Sequence, residues 1–345
     1  MILFGLVNRL NRPHRLNRPM SRSLRLPVVC AIVLLSLLGA TSGRAQQPSA
    51  PPPPPPPPPA PPARTPPGYA IRRDVNLVML HVSVADEHGQ FVPGLTGSNF
   101  RLFEDNVEQK IDVVRQEDAP VSIGLLIDNS GSMEDKRAKV NAAALTFVKS
   151  SNPADEVFVA HFNENYFFDL NKDFTQDVGE MEKALEHIES SGATALFDAI
   201  VRSLDRLKRG YNDKKALLIV SDGEDNSSHV TFQYALEQAQ RSNDLIYAVG
   251  LLSEEKKESA ERARKVLLSL AQDAGGAAYF PEGLQEVETI CAQIAHDIRH
   301  QYTLAYYPAR PKDGTFRTLR VDIVPPPGSG KLSARTRTGY FSGQQ

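Results

Sequence analysis

The chain has 345 residues, with 39 Lys and Arg against 41 Asp and Glu, a formal net charge of −2, 26 prolines and two cysteines. A near-neutral balance with dispersed basic residues excludes a nucleic-acid footprint, and the length leaves room for one large domain plus a smaller one. Cys30 lies in an N-terminal apolar segment, so Cys291 stands alone and an internal disulfide is excluded once that segment is removed.

Residues 1–45 read as a secretory signal peptide. Arg22 and Arg25 precede an uncharged apolar run, Leu26 to Leu38, and small residues lead to a cleavage point after Ala45. The run is shorter than the ~20 residues that span a bilayer, so no stable membrane span is expected after cleavage, and the destination is secreted or periplasmic. Residues 46–68 form a proline-rich linker that includes nine consecutive prolines, Pro51 to Pro59. Such a tract extends at ~3.1 Å per residue and acts as a spacer.

Residues 69–117 have β texture. A strand is expected over Val75–Val84, and two more around Phe100–Glu104 and Gln109–Arg115, joined by an Asp105-Asn106 turn. Strands and helices then alternate over residues 118–301, the rhythm of a parallel sheet between helices. Strands are expected at Val121–Ile127, Val157–Phe162, Lys215–Ser221, Leu245–Leu251 and Ala277–Phe280. Helices are expected at Val140–Val148, Val178–Ile188, Ala195–Leu207, Phe232–Ala239, Ala260–Leu270 and Gln285–His300. Residues 302–345 return to β texture at Tyr302–Tyr307, Arg317–Val324 and Lys331–Phe341. Each flank is too small to stand alone in water. The two flanks are therefore expected to pair as a small β-sandwich, with a doubly wound α/β domain of mostly parallel sheet inserted between them.

The chemistry concentrates at three loop positions. Asp128-Asn129-Ser130-Gly131-Ser132 ends the apolar strand Val121–Ile127, Thr194 precedes the helix Ala195–Leu207, and Asp222 ends the apolar strand Lys215–Ser221. In open α/β sheets, ligands bind beyond the carboxyl ends of the strands. Asp128, Ser130, Ser132, Thr194 and Asp222 offer only oxygen donors, which suits a hard divalent cation rather than Zn²⁺: Mg²⁺ first, with Mn²⁺ or Ca²⁺ as alternatives. Two carboxylates balance the ion while the hydroxyls are neutral, so the ion stays electrophilic. Each element also has an ordinary reading, since Asp, Ser and Thr cap helices and Asp-Gly makes turns. The acids are expected at an open rim, so alanine at Asp128 or Asp222 should remove the ion and leave the fold intact.

The order D-x-S-x-S, then Thr, then Asp at the end of a second strand, resembles the metal-ion-dependent adhesion site of von Willebrand factor type A domains, over roughly residues 118–302. The resemblance implies a non-enzymatic module in which the metal takes an acidic side chain from a protein partner as its last ligand. Ser221 stands where threonine often precedes the Asp-Gly pair, and Glu224 and Asp225 add negative charge nearby. With its β flanks, Tyr302–Pro308, Asp313-Gly314 and Arg337–Phe341, the chain is also similar to secreted bacterial proteins of the acidobacterial VWFA-related type.

Two alternatives remain from the residues alone. A scaffold would keep the site structural and bind through the β flanks. A metal-dependent hydrolase or phosphotransferase would use Asp128 as nucleophile, but Ser130 occupies the place of the second acid such chemistry usually wants. His296 and His300 have the two-histidine spacing of zinc peptidases, but Asp297 stands in place of a glutamate base and both rings are expected to face solvent. Cys291 shares an apolar stripe with Val287, Ile294 and Ile298, which reads as core packing.

Overall fold

The computed structural model describes residues 77–116, 118–186 and 190–343. The expected signal segment, the proline tract and the start of the first β segment lie outside the described residues. Of fourteen strands among the described residues, six form a central sheet: β5 (Val121–Asp128), β6 (Glu156–Phe162), β7 (Tyr166–Phe168), β8 (Lys214–Ser221), β9 (Leu245–Gly250) and β10 (Ala278–Tyr279). Their order is β10-β9-β8-β5-β6-β7. All neighbours are parallel except β7, which pairs antiparallel with β6 as an edge strand that the sequence pattern did not reveal.

Every residue of β5 is buried, as a strand covered on both faces must be. Its period of two divides the strand between two cores. Val121, Ile123, Leu125 and Ile127 pack with α1 (Arg137–Ser150), α2 (Val178–Glu186) and α6 (Val287–His300). Leu126 faces the other way, onto α3 (Leu196–Leu207), α4 (Phe232–Ser242) and α5 (Lys257–Asp273). Gly124 shares that second face because there is no space for more: an added Cβ would lie 2.5 Å from the Phe158 ring and 2.9 Å from Leu217.

The flanks supply the remaining strands: β1 (Val78–Ala85), β2 (Phe100–Glu104), β3 (Val107–Gln109) and β4 (Ile111–Gln116) before the α/β part, then β11 (Tyr302–Tyr306), β12 (Phe316–Ile323), β13 (Ser333–Arg335) and β14 (Gly339–Phe341) after it. They form two four-stranded sheets, β13-β1-β11-β4 and β14-β12-β2-β3, each of which mixes both flanks. Alternate residues Val78, Leu80, Val82 and Val84 join Leu102, Tyr302, Leu304, Leu319 and Val321 in one shared core. Asp105 and Asn106 adopt φ of 49° and 63°. That double left-handed turn matches the strand twist and closes the β2–β3 hairpin. The segment expected as a single strand from Gln109 divides at Lys110, with β3 pairing to β2 and β4 to β11.

Beneath the sandwich, the buried Glu104 carboxylate accepts from Tyr306 at 2.6 Å, Tyr340 at 2.8 Å and Arg317 at 3.1 Å. One acid of the first flank is thereby tied to three strands of the second.

Candidate metal centre

The chain leaves β5 toward β6 on one side and leaves β8 toward β9 on the other, so a crevice opens between the carboxyl ends of β5 and β8. The parallel register that sets Ile127 opposite Val220 brings Asp128 beside Ser221. Both side chains emerge on the same sheet face, and the Ser221 hydroxyl donates to Asp128 Oδ2 at 2.5 Å. The other carboxylate oxygen, Oδ1, accepts the backbone N–H of Ser130 at 2.9 Å. This Asx turn bends the chain out of the strand, and residues Gly131–Met133 follow as a 3-10 turn before α1.

That turn presents both serines. Their hydroxyl oxygens lie 3.2 Å apart, and Ser132 Oγ donates to Asp222 Oδ1 at 3.0 Å. A continuous polar chain thus links Ser221, Asp128, Ser130, Ser132 and Asp222.

The third loop is drawn in by backbone bonds. Gly131 N–H donates to the Gly192 carbonyl at 3.2 Å, and Ser191 N–H to the Asn129 carbonyl at 3.0 Å. Gly192 has φ of 81°, and a Cβ there would overlap the Glu164 carboxylate at 1.8 Å, so only glycine fits. Thr194 is anchored through its backbone: its N–H donates to Asn226 Oδ1 at 2.9 Å, and its carbonyl accepts from Asn226 and Ser227 at 3.0 and 3.1 Å. Its hydroxyl lies 3.7 Å from where a Cβ on Gly223 would stand. The N-cap of α3 is Ala195, without a side-chain capping bond; the capping reading of Thr194 is therefore removed.

Two features depart from expectation. Asp128 is 1% exposed and Asp222 0%, so neither acid lies at an open rim. Three loops close over them, and an alanine there perturbs a buried polar cluster. The second departure is Lys136, 5% exposed, whose ammonium donates to Asp222 Oδ2 at 2.5 Å. Motif reading passes over this residue. A signal for it exists, because Lys136 lies four residues before the buried Val140 and so falls on the inward stripe of the helix entry.

Burial pushes the Asp128 carboxyl up to about 6, and the nearby charge of Asp222 acts in the same direction, against hydrogen bonds from Ser221 and Ser130. Two acids crowded in a buried pocket with hydroxyl neighbours fit a hard divalent cation, whose charge would relieve both burial and repulsion. Among the described residues no group of three or more His, Cys, Asp or Glu is placed to hold a metal ion. A cation here would depend on hydroxyl and water oxygens for the rest of its shell. Glu224 and Asp225 are turned to other work: Glu224 pairs with Arg262 at 2.5 Å, and Asp225 accepts from Phe197 N–H at 3.1 Å and Ser228 Oγ at 2.5 Å.

The other sequence candidates are structural. The His296 and His300 rings stack at 3.8 Å, and His300 is half-buried beside Phe91 rather than facing solvent. Asp297 accepts from Tyr247 at 2.6 Å and pairs with Arg335, which latches α6 to the sandwich. Cys291 is wholly buried, and burial pushes its thiol up to about 12. Among the described residues no helix is long and apolar enough to cross a membrane.

Residues 123–224 match the family model described as von Willebrand factor type A domain. No curated protein matches the chain. Among solved structures, a von Willebrand factor type A protein from Catenulispora acidiphila is 12% identical, with a TM-score of 0.47 over 71% of this chain and 74% of that one. The PilB minor pilin from Streptococcus sanguinis is 11% identical, with a TM-score of 0.44 over 54% of this chain and 62% of that one. The vWF domain of the type V pili tip protein Mfa5 from Porphyromonas gingivalis is 13% identical, with a TM-score of 0.42 over 52% and 95%. The segment 123–224, which carries both strand-end acids of the crevice, belongs to a von Willebrand factor type A domain.

Proposed function

We propose that this chain is an exported, non-enzymatic protein that binds a protein partner through a divalent cation, Mg²⁺ first, held by Asp128, Ser130, Ser132, Thr194 and Asp222 as a metal-ion-dependent adhesion site. Domains of this type typically mediate protein interactions or adhesion. The observation that carries the reading is the hydrogen-bonded chain joining two buried acids from adjacent strand ends: Asp128 accepts the Ser130 N–H, the Ser130 and Ser132 hydroxyls meet, and Ser132 donates to Asp222. The Ser130 and Ser132 hydroxyls and the Asp222 carboxylate lie in hydrogen-bond sequence, and an ion among these donors would take neutral and anionic oxygens in a ratio that leaves it attractive to one more carboxylate. The partner's acidic side chain would be that last ligand. Asp128 is buried with both oxygens accepting hydrogen bonds, which suits a metal ligand better than a nucleophile. On this reading residues 1–45 direct export, residues 46–68 are a linker, and the destination is secreted or periplasmic.

Calorimetric titration with Mg²⁺ and Mn²⁺ tests the proposal. Wild-type protein should bind one ion and Asp128→Ala none; an unchanged isotherm in the variant removes the site.

A further inference from the structure

Lys136 lies inside the cluster just described, and nothing in the adhesion-site pattern calls for it. Its ammonium is almost fully buried, donates to Asp222 Oδ2 at 2.5 Å and lies 3.8 Å from Glu254 Oε2, whose side chain is 73% exposed. Glu254 stands in the loop after β9, beside a hollow of about 270 Å³ that Lys136, Leu251, Ser253 and Pro281 help to line. Both Asp222 oxygens are therefore occupied by donors, Ser132 Oγ on one and Lys136 Nζ on the other.

We propose that Lys136 is the built-in counter-cation of this site: it neutralises Asp222 when no ion is bound, and yields that carboxylate to a divalent cation by moving to Glu254. The inference rests on the cation reading above and adds the residue that sets the site's affinity. Charge explains the exchange. Two buried carboxylates with one ammonium carry a net charge of −1, whereas the same pair with a divalent ion is neutral without the ammonium. Retaining Lys136 beside the ion would bury an uncompensated positive charge, which is strongly disfavoured in a low-dielectric pocket. The second berth is within reach, since a side-chain rotation brings the ammonium to an acid it already neighbours and leads it toward solvent. A divalent ion must thus displace a tethered competitor, and its apparent affinity is reduced by the fraction of molecules in which Asp222 is released. Departure of Lys136 also alters the hollow beside the ion, which couples occupancy to the shape of the surface a partner would meet.

The test is titration of the purified protein with Mg²⁺ by calorimetry, paired with thermal unfolding in chelator. Lys136→Met should bind Mg²⁺ about tenfold tighter than wild type or better, with a lower melting temperature in chelator and a larger rise on adding Mg²⁺. Equal or weaker binding by Lys136→Met, with wild type still binding, overturns the inference and leaves the cation reading standing. Failure of both proteins to bind any divalent ion overturns the cation reading and the inference with it. Should Lys136→Met not fold, the exposed Glu254→Gln gives the same information: it removes the alternative berth and should weaken Mg²⁺ binding several-fold, and an unchanged affinity overturns the exchange.

Discussion

Replacing Asp222 by alanine separates a buried cluster from an exposed ligand. Were the acid at a solvent-facing rim, the substitution would leave stability nearly unchanged, within about 0.5 kcal/mol. In the structure Asp222 is 0% exposed and partners Lys136, itself 5% exposed, and Ser132. Removing one member of a buried ion pair leaves the other charge uncompensated, at about 3–5 kcal/mol. The Ser132 hydroxyl also loses its acceptor, although Ser130 Oγ at 3.2 Å offers another. Glu254, 3.8 Å from the Lys136 ammonium, softens the loss, so the lower end, about 3 kcal/mol, is expected. Urea unfolding in chelator, with the slope checked for equality between proteins, measures it. The double variant Asp222→Ala/Lys136→Met should recover most of that loss, because the uncompensated charge goes with the lysine. A single variant within 1 kcal/mol of wild type, or a double variant less stable than the single one, would refute the reasoning.

Three further outcomes follow from the same structure. Asp128→Ala should abolish Mg²⁺ binding, whereas Thr194→Ala should only weaken it, because water can replace a neutral donor; calorimetry showing an equal or greater loss for Thr194→Ala contradicts that ranking. Glu104→Gln should destabilise the protein by about 2–4 kcal/mol, since the wholly buried Arg317 loses its buried carboxylate partner and keeps only the partly exposed Asp313 at 3.3 Å; a change below 1 kcal/mol in chemical unfolding would show that the acid does not tie the flanks together. Asp244 is buried with Oδ2 lacking a hydrogen-bond partner, and burial pushes its carboxyl up to about 7, against lowering by Ser242, Lys215 and Lys208. Its folded value lies above its unfolded one, so the native state holds a proton that the unfolded chain releases, and the group lowers stability progressively as pH rises from about 4 to 7. At about 1.4 kcal/mol per unit the full effect is on the order of 4 kcal/mol. Asp244→Asn should flatten the stability profile over that range, and parallel profiles for the two proteins would sink the assignment.

The strand and helix rhythm was legible because β5 and β8 are apolar runs buried on both faces, and the helices between them carry their own stripes. Edge strand β7 and the division of β3 from β4 at Lys110 were not, since three-residue strands depend on a neighbour rather than on a pattern of their own. The flanks looked too small to stand alone, and that argument pointed to their pairing; the interleaving of both flanks in each sheet came only from the register. The meeting of Asp128, Ser130 and Ser132 with Asp222 could be anticipated from their positions at two strand ends. Their burial could not, because exposure of a loop residue depends on which other loops fold over it.

The residues alone determined which donors exist, that all are oxygens, and that two acids end neighbouring kinds of strand, because these follow from chemistry and local periodicity. Tertiary structure decided that Ser221 bridges to Asp128, that both acids are sealed from solvent, and that Lys136 reaches Asp222 across 86 positions of sequence. Contacts of that kind are set by sheet register and loop closure, which no local stretch of chain encodes.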